Sequence, residues 1–167
     1  MKLPHLTRPA GARWLAACAL LAALASPTAH ALILGSCSAT ANSVAFGTYD
    51  LTSPTALQGT STVTVTCTEV LGSTSVTVYL STGSGTYTTR TMLSGANKLD
   101  YNLYTNAAET TVWGNGTGST TYDTLTIGSG VFLGTSSASG TVYGAVPALQ
   151  NPAPGSYTDT ITVTVNY

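Results

Sequence analysis

The chain has 167 residues, only 7% of them charged, and a formal net charge of −1. So few cations exclude a basic patch of the kind that holds nucleic acid or anionic lipid. Scarce charge combined with abundant β-branched residues also argues against a disordered chain and for a folded domain.

Residues 1–31 read as a Sec signal peptide. Lys2, Arg8 and Arg13 form a basic start, Trp14 to Leu24 is an unbroken apolar run, and Pro27 breaks it. Ala29-His30-Ala31 then supplies the small residues expected at a cleavage site after Ala31. The apolar run has about eleven residues, whereas a membrane span needs about twenty, so an uncleaved anchor is the weaker alternative. No later segment is apolar enough to span a bilayer. Cleavage leaves 32–167, which is 167 − 31 = 136 residues and one domain. Its cations are Arg90 and Lys98, and its anions are Asp50, Glu69, Asp100, Glu109, Asp123 and Asp159, for a net charge of 2 − 6 = −4.

Cys18 departs with the signal, leaving Cys37 and Cys67. In an oxidising compartment two thiols allow one pairing, and closing a loop of about thirty residues stabilises by about 3–4 kcal/mol on the loop-entropy model. A metal site is the alternative, but both histidines, His5 and His30, also lie in the signal, and no ligand set remains.

Strict alternation dominates the rest and predicts strands. Val63, Val65 and Cys67 share one face of 62–67, with threonines on the other. Val76, Val78 and Leu80 repeat the pattern, and Leu99, Tyr101 and Leu103 stand against Asp100, Asn102 and Tyr104. Shorter strands are expected over 122–127 and 141–146. The segment 155–167 alternates most clearly, with Ile161, Val163, Val165 and Tyr167 on one side. Between these runs lie breakers: Gly83-Ser84-Gly85, Gly95, Gly114-Asn115-Gly116, Gly128-Ser129-Gly130, and Pro152 to Gly155. No segment of ten residues shows helical periodicity. Short alternating strands at this spacing predict an all-β, antiparallel β-sandwich.

Catalysis finds little support. Residues 32–167 hold no histidine for a Ser-His or Cys-His pair. A glycosidase needs only two facing carboxylates, yet nothing pairs any two of the six. No phosphate loop, dinucleotide fingerprint or calcium loop is present, and no cofactor is implied. Asn115-Gly116-Thr117 satisfies a glycosylation sequon, but in a glycine-rich stretch it reads as turn chemistry.

The stretch Cys37 through Val44-Ala45-Phe46-Gly47-Thr48-Tyr49-Asp50 resembles the opening of the spore coat protein U domain, found in subunits of archaic, Csu-type chaperone–usher pili. The pattern continues through Val63-Thr64-Val65-Thr66-Cys67, Arg90-Thr91-Met92 and Leu99-Asp100-Tyr101-Asn102-Leu103-Tyr104. Trp113-Gly114, Tyr143-Gly144-Ala145-Val146-Pro147-Ala148 with Gln150, and Gly155-Ser156-Tyr157-Thr158-Asp159-Thr160 complete it. The ordered set covers nearly all of 32–167. The resemblance implies an immunoglobulin-like sandwich that is one strand short and is completed in trans by a donor strand. A periplasmic chaperone would fill the gap first, and a neighbouring pilus subunit would replace it at an outer-membrane usher. It further implies that Cys37 and Cys67 tie the first strand to the second, and that the C-terminal strand borders the open groove.

The residues themselves leave two readings of that last strand: an edge of a complete sandwich, or an edge awaiting a partner. Strand addition to an open edge supplies main-chain hydrogen bonds and buries alternate side chains. Four or five such side chains contribute roughly 6–15 kcal/mol before ordering costs, comparable with a domain's whole stability of about 5–15 kcal/mol. With the resemblance the open groove is favoured, lined by Phe46, Ile161, Val163, Val165 and Tyr167. One departure stands out. Only Leu32 to Ser36 separate the expected cleavage site from Cys37. Those residues reach at most about 17–18 Å, too short for a strand-donating arm. This points to a subunit that accepts a strand and donates none, as at a fibre tip, or to a coat-like protein outside any fibre. A sugar-binding module, with Trp113, Tyr101, Tyr104 and Tyr143 stacking on a glycan, is the alternative from a different class.

Overall fold

A computed structural model describes residues 35–167. The expected signal peptide and its cleavage site after Ala31 lie outside the described residues. Six strands make up the regular structure: β1 (Cys37–Ala41), β2 (Leu57–Leu80), β3 (Arg90–Ser94), β4 (Asn97–Tyr104), β5 (Asp123–Val146) and β6 (Val163–Asn166). No helix occurs among the described residues. All strand pairings are antiparallel, in the order β1-β2-β5-β4-β3, with β6 also on β2.

β2 and β5, 24 residues each, run alongside one another for most of their lengths. The first half of β2 carries β1 on its free edge, and its last four residues carry β6. Between these halves the pairing slips three times, between Cys67 and Val70, Val70 and Gly72, and Gly72 and Ser73. Glu69 (φ 54°) and Gly72 (φ 82°) adopt left-handed backbone there. Bulges of this kind bend and twist a strand pair, and here they curl one continuous sheet until its apolar faces enclose a single core. Val63, Val65 and Cys67 from one half meet Val76, Val78, Leu80 and Ile127 from the other, all at most 2% exposed.

The curl corrects the sequence reading at two places. The expected strands 62–67 and 76–80 belong to one strand, as do 122–127 and 141–146, apart from Tyr122, which precedes it. Gly128-Ser129-Gly130, read as a breaker, lies inside β5, with Gly130 opposite Gly72 and Gly128 opposite Ser73. Small residues meeting across a bend let both backbones turn without ending the ladder. Conversely, 155–167 forms a ladder only over Val163–Asn166, although its side chains alternate between half-buried and exposed from Tyr157 onward. Upstream of β6, Thr158 forms an isolated bridge with Leu93 and the Thr162 carbonyl accepts from the Ser81 amide.

The pairing Cys37–Cys67 is formed, joining directly opposed residues of β1 and β2. After β5, the side chain of Gln150 stands in for a strand. It accepts from the Asp100 amide at 2.9 Å and donates to the Asp100 carbonyl at 2.8 Å, capping the stretch of β4 that β5 has left.

The core also holds a cation. Arg90, one of the two positive residues after residue 31, is fully buried. Its Nε and Nη2 donate to the Ser81 carbonyl at 3.0 and 2.9 Å, Nη2 to the Trp113 carbonyl at 2.6 Å, and Nη1 to Asn102 Oδ1 at 2.6 Å. The Tyr87 ring lies 5.6 Å from the guanidinium carbon. Burial lowers the Arg90 pKa from its ordinary value, which for arginine still leaves the charge in place. Asn102 in turn donates to the Tyr87 and Thr88 carbonyls, so the Arg90–Asn102 pair fastens two loops, 81–89 and the one carrying Trp113, to β4. Arg90→Met keeps the apolar stem but orphans the Ser81 and Trp113 carbonyls and leaves the Asn102 amide oxygen with the Leu103 amide as its remaining donor. It is expected to destabilise the domain by about 2–4 kcal/mol, measured as a lower denaturant midpoint at unchanged slope.

Candidate functional site

The ladder stops on both sides of one gap. After β1, the Asn42 amide bonds to the Thr62 carbonyl at 3.1 Å, and the chain then leaves β2. Residues 43–49 remain outside any ladder, and among the described residues no hydrogen bond reaches their backbone. Side chains alone hold this near bank. Val44 and Phe46 rest on Gly59 and Gly144, which face each other across β2 and β5, and Phe46 meets the Tyr101 ring edge-on at 5.9 Å. Tyr49 Oη donates to the Pro147 carbonyl at 2.7 Å and accepts from the Gln150 amide at 2.8 Å.

The far bank is residues 157–166, and it is fixed from one side. Thr158 exchanges two backbone bonds with Leu93, at 2.8 and 3.0 Å. The Thr162 carbonyl accepts from the Ser81 amide at 3.0 Å, and the Thr162 amide donates to Ser81 Oγ at 2.9 Å. Antiparallel pairing alternates bonded and non-bonded residues. Thr164 and Asn166 therefore continue the bonding of Thr162, opposite Tyr79 and Thr77. The amide of Leu80, opposite Val163, is turned away to the Gly114 carbonyl. The N–H and C=O groups of Val163 and Val165 thus point outward, where no described strand pairs with them.

Asp159 pins the middle of this bank. Its Oδ1 accepts from Ser84 N at 3.0 Å, Ser84 Oγ at 2.9 Å and Thr160 N at 2.8 Å, and its Oδ2 accepts from Tyr101 Oη at 2.7 Å. Burial, then the adjoining Asp159 carboxylate, pushes the Tyr101 phenol well above its ordinary pKa, so it stays a donor.

Two cavities lie along the near bank: one of 460 Å³ bordered by residues 157–161 and Val163 of the far bank, and one of 640 Å³ bordered by residues 152–157 just before it. Val44, Phe46, Met92 and Tyr157 line both. At the narrow end β1 packs against β6. Of the residues expected in the groove, Phe46, Ile161 and Val163 line the smaller cavity. Val165 is half-buried against the core in β6, and Tyr167 follows the strand at 55% exposure; neither lines either of these two cavities. Sequence reasoning missed Val44, Met92, Tyr101 and Tyr157. The Val44/Phe46 and Tyr157/Ile161 alternation carried part of that signal.

Two aromatics proposed for sugar stacking are core residues. Trp113 is fully buried with Nε1 bonded to the Val78 carbonyl at 2.8 Å, and Tyr101 is 5% exposed. Tyr104 and Tyr143 are half-buried partners across β4 and β5. Asp159→Ala removes the pin on the far bank and leaves the Tyr101 hydroxyl without its acceptor. It is expected to lower stability by about 1.5–3 kcal/mol in equilibrium unfolding, more than Ser84→Ala.

Comparison with curated proteins returns no match. Among solved structures, the chain is similar to one in the crystal structure of the CsuC–CsuE chaperone–tip adhesion subunit pre-assembly complex from the archaic chaperone–usher Csu pili of Acinetobacter baumannii. The TM-score is 0.53 at 24% identity, over 79% of this chain and 39% of that one, so this chain spans well under half the length of its structural relative. That likeness establishes the immunoglobulin-like fold. Residues 23–164 match the family model of the Spore Coat Protein U domain, and the chain belongs to that family.

Proposed function

We propose that this chain is a non-catalytic structural and adhesive subunit of a bacterial surface fibre assembled by the chaperone–usher route. It is exported by Sec, captured by a periplasmic chaperone, and passed with other pilus subunits through an outer-membrane usher to the cell surface. There it serves attachment or biofilm formation. The observation that carries this reading is the pair of facing banks: residues 43–49 on one side, and Val163 and Val165 on the other, present main-chain groups that no described strand pairs, across an apolar gap. A strand laid between them would pair with both and bury its alternate side chains against Phe46, Ile161 and Val163. The chaperone's strand and then a subunit's strand are the occupants this geometry suits.

A terminal, strand-accepting position fits the start of the domain. Of the five residues between Ala31 and Cys37, Gly35 and Ser36 are already tied to Thr68, through Gly35 N to the Thr68 carbonyl at 3.1 Å and Thr68 N to the Ser36 carbonyl at 2.9 Å. What remains is too short to leave its own domain and fill a neighbour's groove. The coat reading shares the groove but requires no usher, so loss of surface display on usher deletion separates the two.

Co-expression with the candidate chaperone is expected to raise soluble yield and give a stable complex. Val163→Asp places a charge in the groove wall and is expected to abolish capture. Undiminished co-purification of that variant would refute the assignment. Mixing the subunit with its own chaperone complex should give no ladder on unheated gels, and long self-ladders would contradict the terminal position.

A further inference from the structure

We infer that Phe46, seated on the Gly59–Gly144 pair, selects the strand that the groove accepts: large apolar side chains at either end, and a small residue facing the ring. This rests on the strand-accepting function proposed above and specifies the chemistry of the partner.

Phe46 stands where the two cavities meet, and it is held there from below. Gly59 and Gly144 are register partners on β2 and β5, and the ring occupies the space their missing side chains leave. A Cβ on Gly144 would lie 2.7 Å from Phe46 Cζ, and one on Gly59 would lie 3.1 Å from Phe46 Cδ1 and 3.0 Å from Val44 Cγ1. The Tyr101 ring, itself fixed through Asp159, abuts Phe46 edge-on. Floor and side wall therefore fit the ring closely, and Phe46 acts as a fixed post rather than a plug that moves aside. An incoming strand presents a side chain to the groove about every 6.6–6.8 Å. Those falling in the 460 and 640 Å³ cavities have room for Leu- or Phe-sized groups. The one between them meets the ring and must be glycine or close to it.

The test uses the purified, disulfide-bonded protein and two synthetic peptides of alternating threonine and leucine. They are identical except that the central groove-facing residue is glycine in one and leucine in the other. The protein is expected to bind the glycine peptide about tenfold or more tightly than the leucine peptide. Phe46→Ala should erase or reverse that preference. Gly144→Ala, which drives the ring outward into the groove, should steepen it, and this second variant decides the matter should Phe46→Ala fail to fold. Equal binding of both peptides by the unaltered protein, or an undiminished glycine preference in Phe46→Ala, would overturn the role of Phe46 while leaving strand acceptance in place. Binding of neither peptide would contradict strand acceptance itself.

Discussion

A backbone N–H or C=O withdrawn from water must find a partner, and in an all-β chain that partner is another strand. The architecture follows from how this requirement is met. β2 and β5 satisfy one another over most of 24 residues each, and every other strand docks directly or indirectly on that pair. Curling the pair at Gly72 and Gly128–Gly130 turns one sheet into both layers of a sandwich. The curl also sends β1 and β6 along the same free edge of β2, where they converge at one end and part at the other. Where they part, the requirement goes unmet on both sides of the gap. The groove is thus a consequence of the sheet's own geometry.

The two banks differ in how they are held, and the difference suits the strand-accepting function proposed above. The far bank is fastened by Leu93, Ser81 and the Asp159 cluster, so its outward groups are presented at fixed positions. The near bank is held through side chains, by the packing of Val44 and Phe46 and the two hydrogen bonds of the Tyr49 hydroxyl. Binding then needs little reorganisation on one side and gains new main-chain bonds on the other, which lowers the ordering cost of association. Arg90 supports the arrangement from within the core, because its Ser81 contact secures the turn to which Thr162 is bonded.

The strand content and facing of this chain were legible because threonine–valine alternation is nearly unbroken where one face is buried. Val63, Val65, Val76, Val78, Leu99 and Leu103 all fall in the core as the period of two requires. The long strands were not legible, since glycine marks a turn and a bend alike, and only the opposing glycine on the partner strand distinguishes them. The site was legible in part. The resemblance proposed a groove and alternation supplied its candidates; Ile161 and Val163 lie beside the smaller cavity, whereas Val165 and Tyr167 do not, because periodicity records which way a side chain faces and not where a cavity ends. The burial of Arg90 was not legible, for its partners are oxygens from distant parts of the chain that leave no mark in composition.

The account depends on open main-chain groups lying along both banks. Amide hydrogen exchange on the isolated protein and on its chaperone complex measures this directly. In isolation, residues 43–48 and Val163 should exchange rapidly while the β2 amides stay protected, and in the complex both banks should become protected together. Slow exchange at 43–48 and Val163 in the isolated monomer, unchanged on capture, would mean that the sandwich is already closed and would contradict the account.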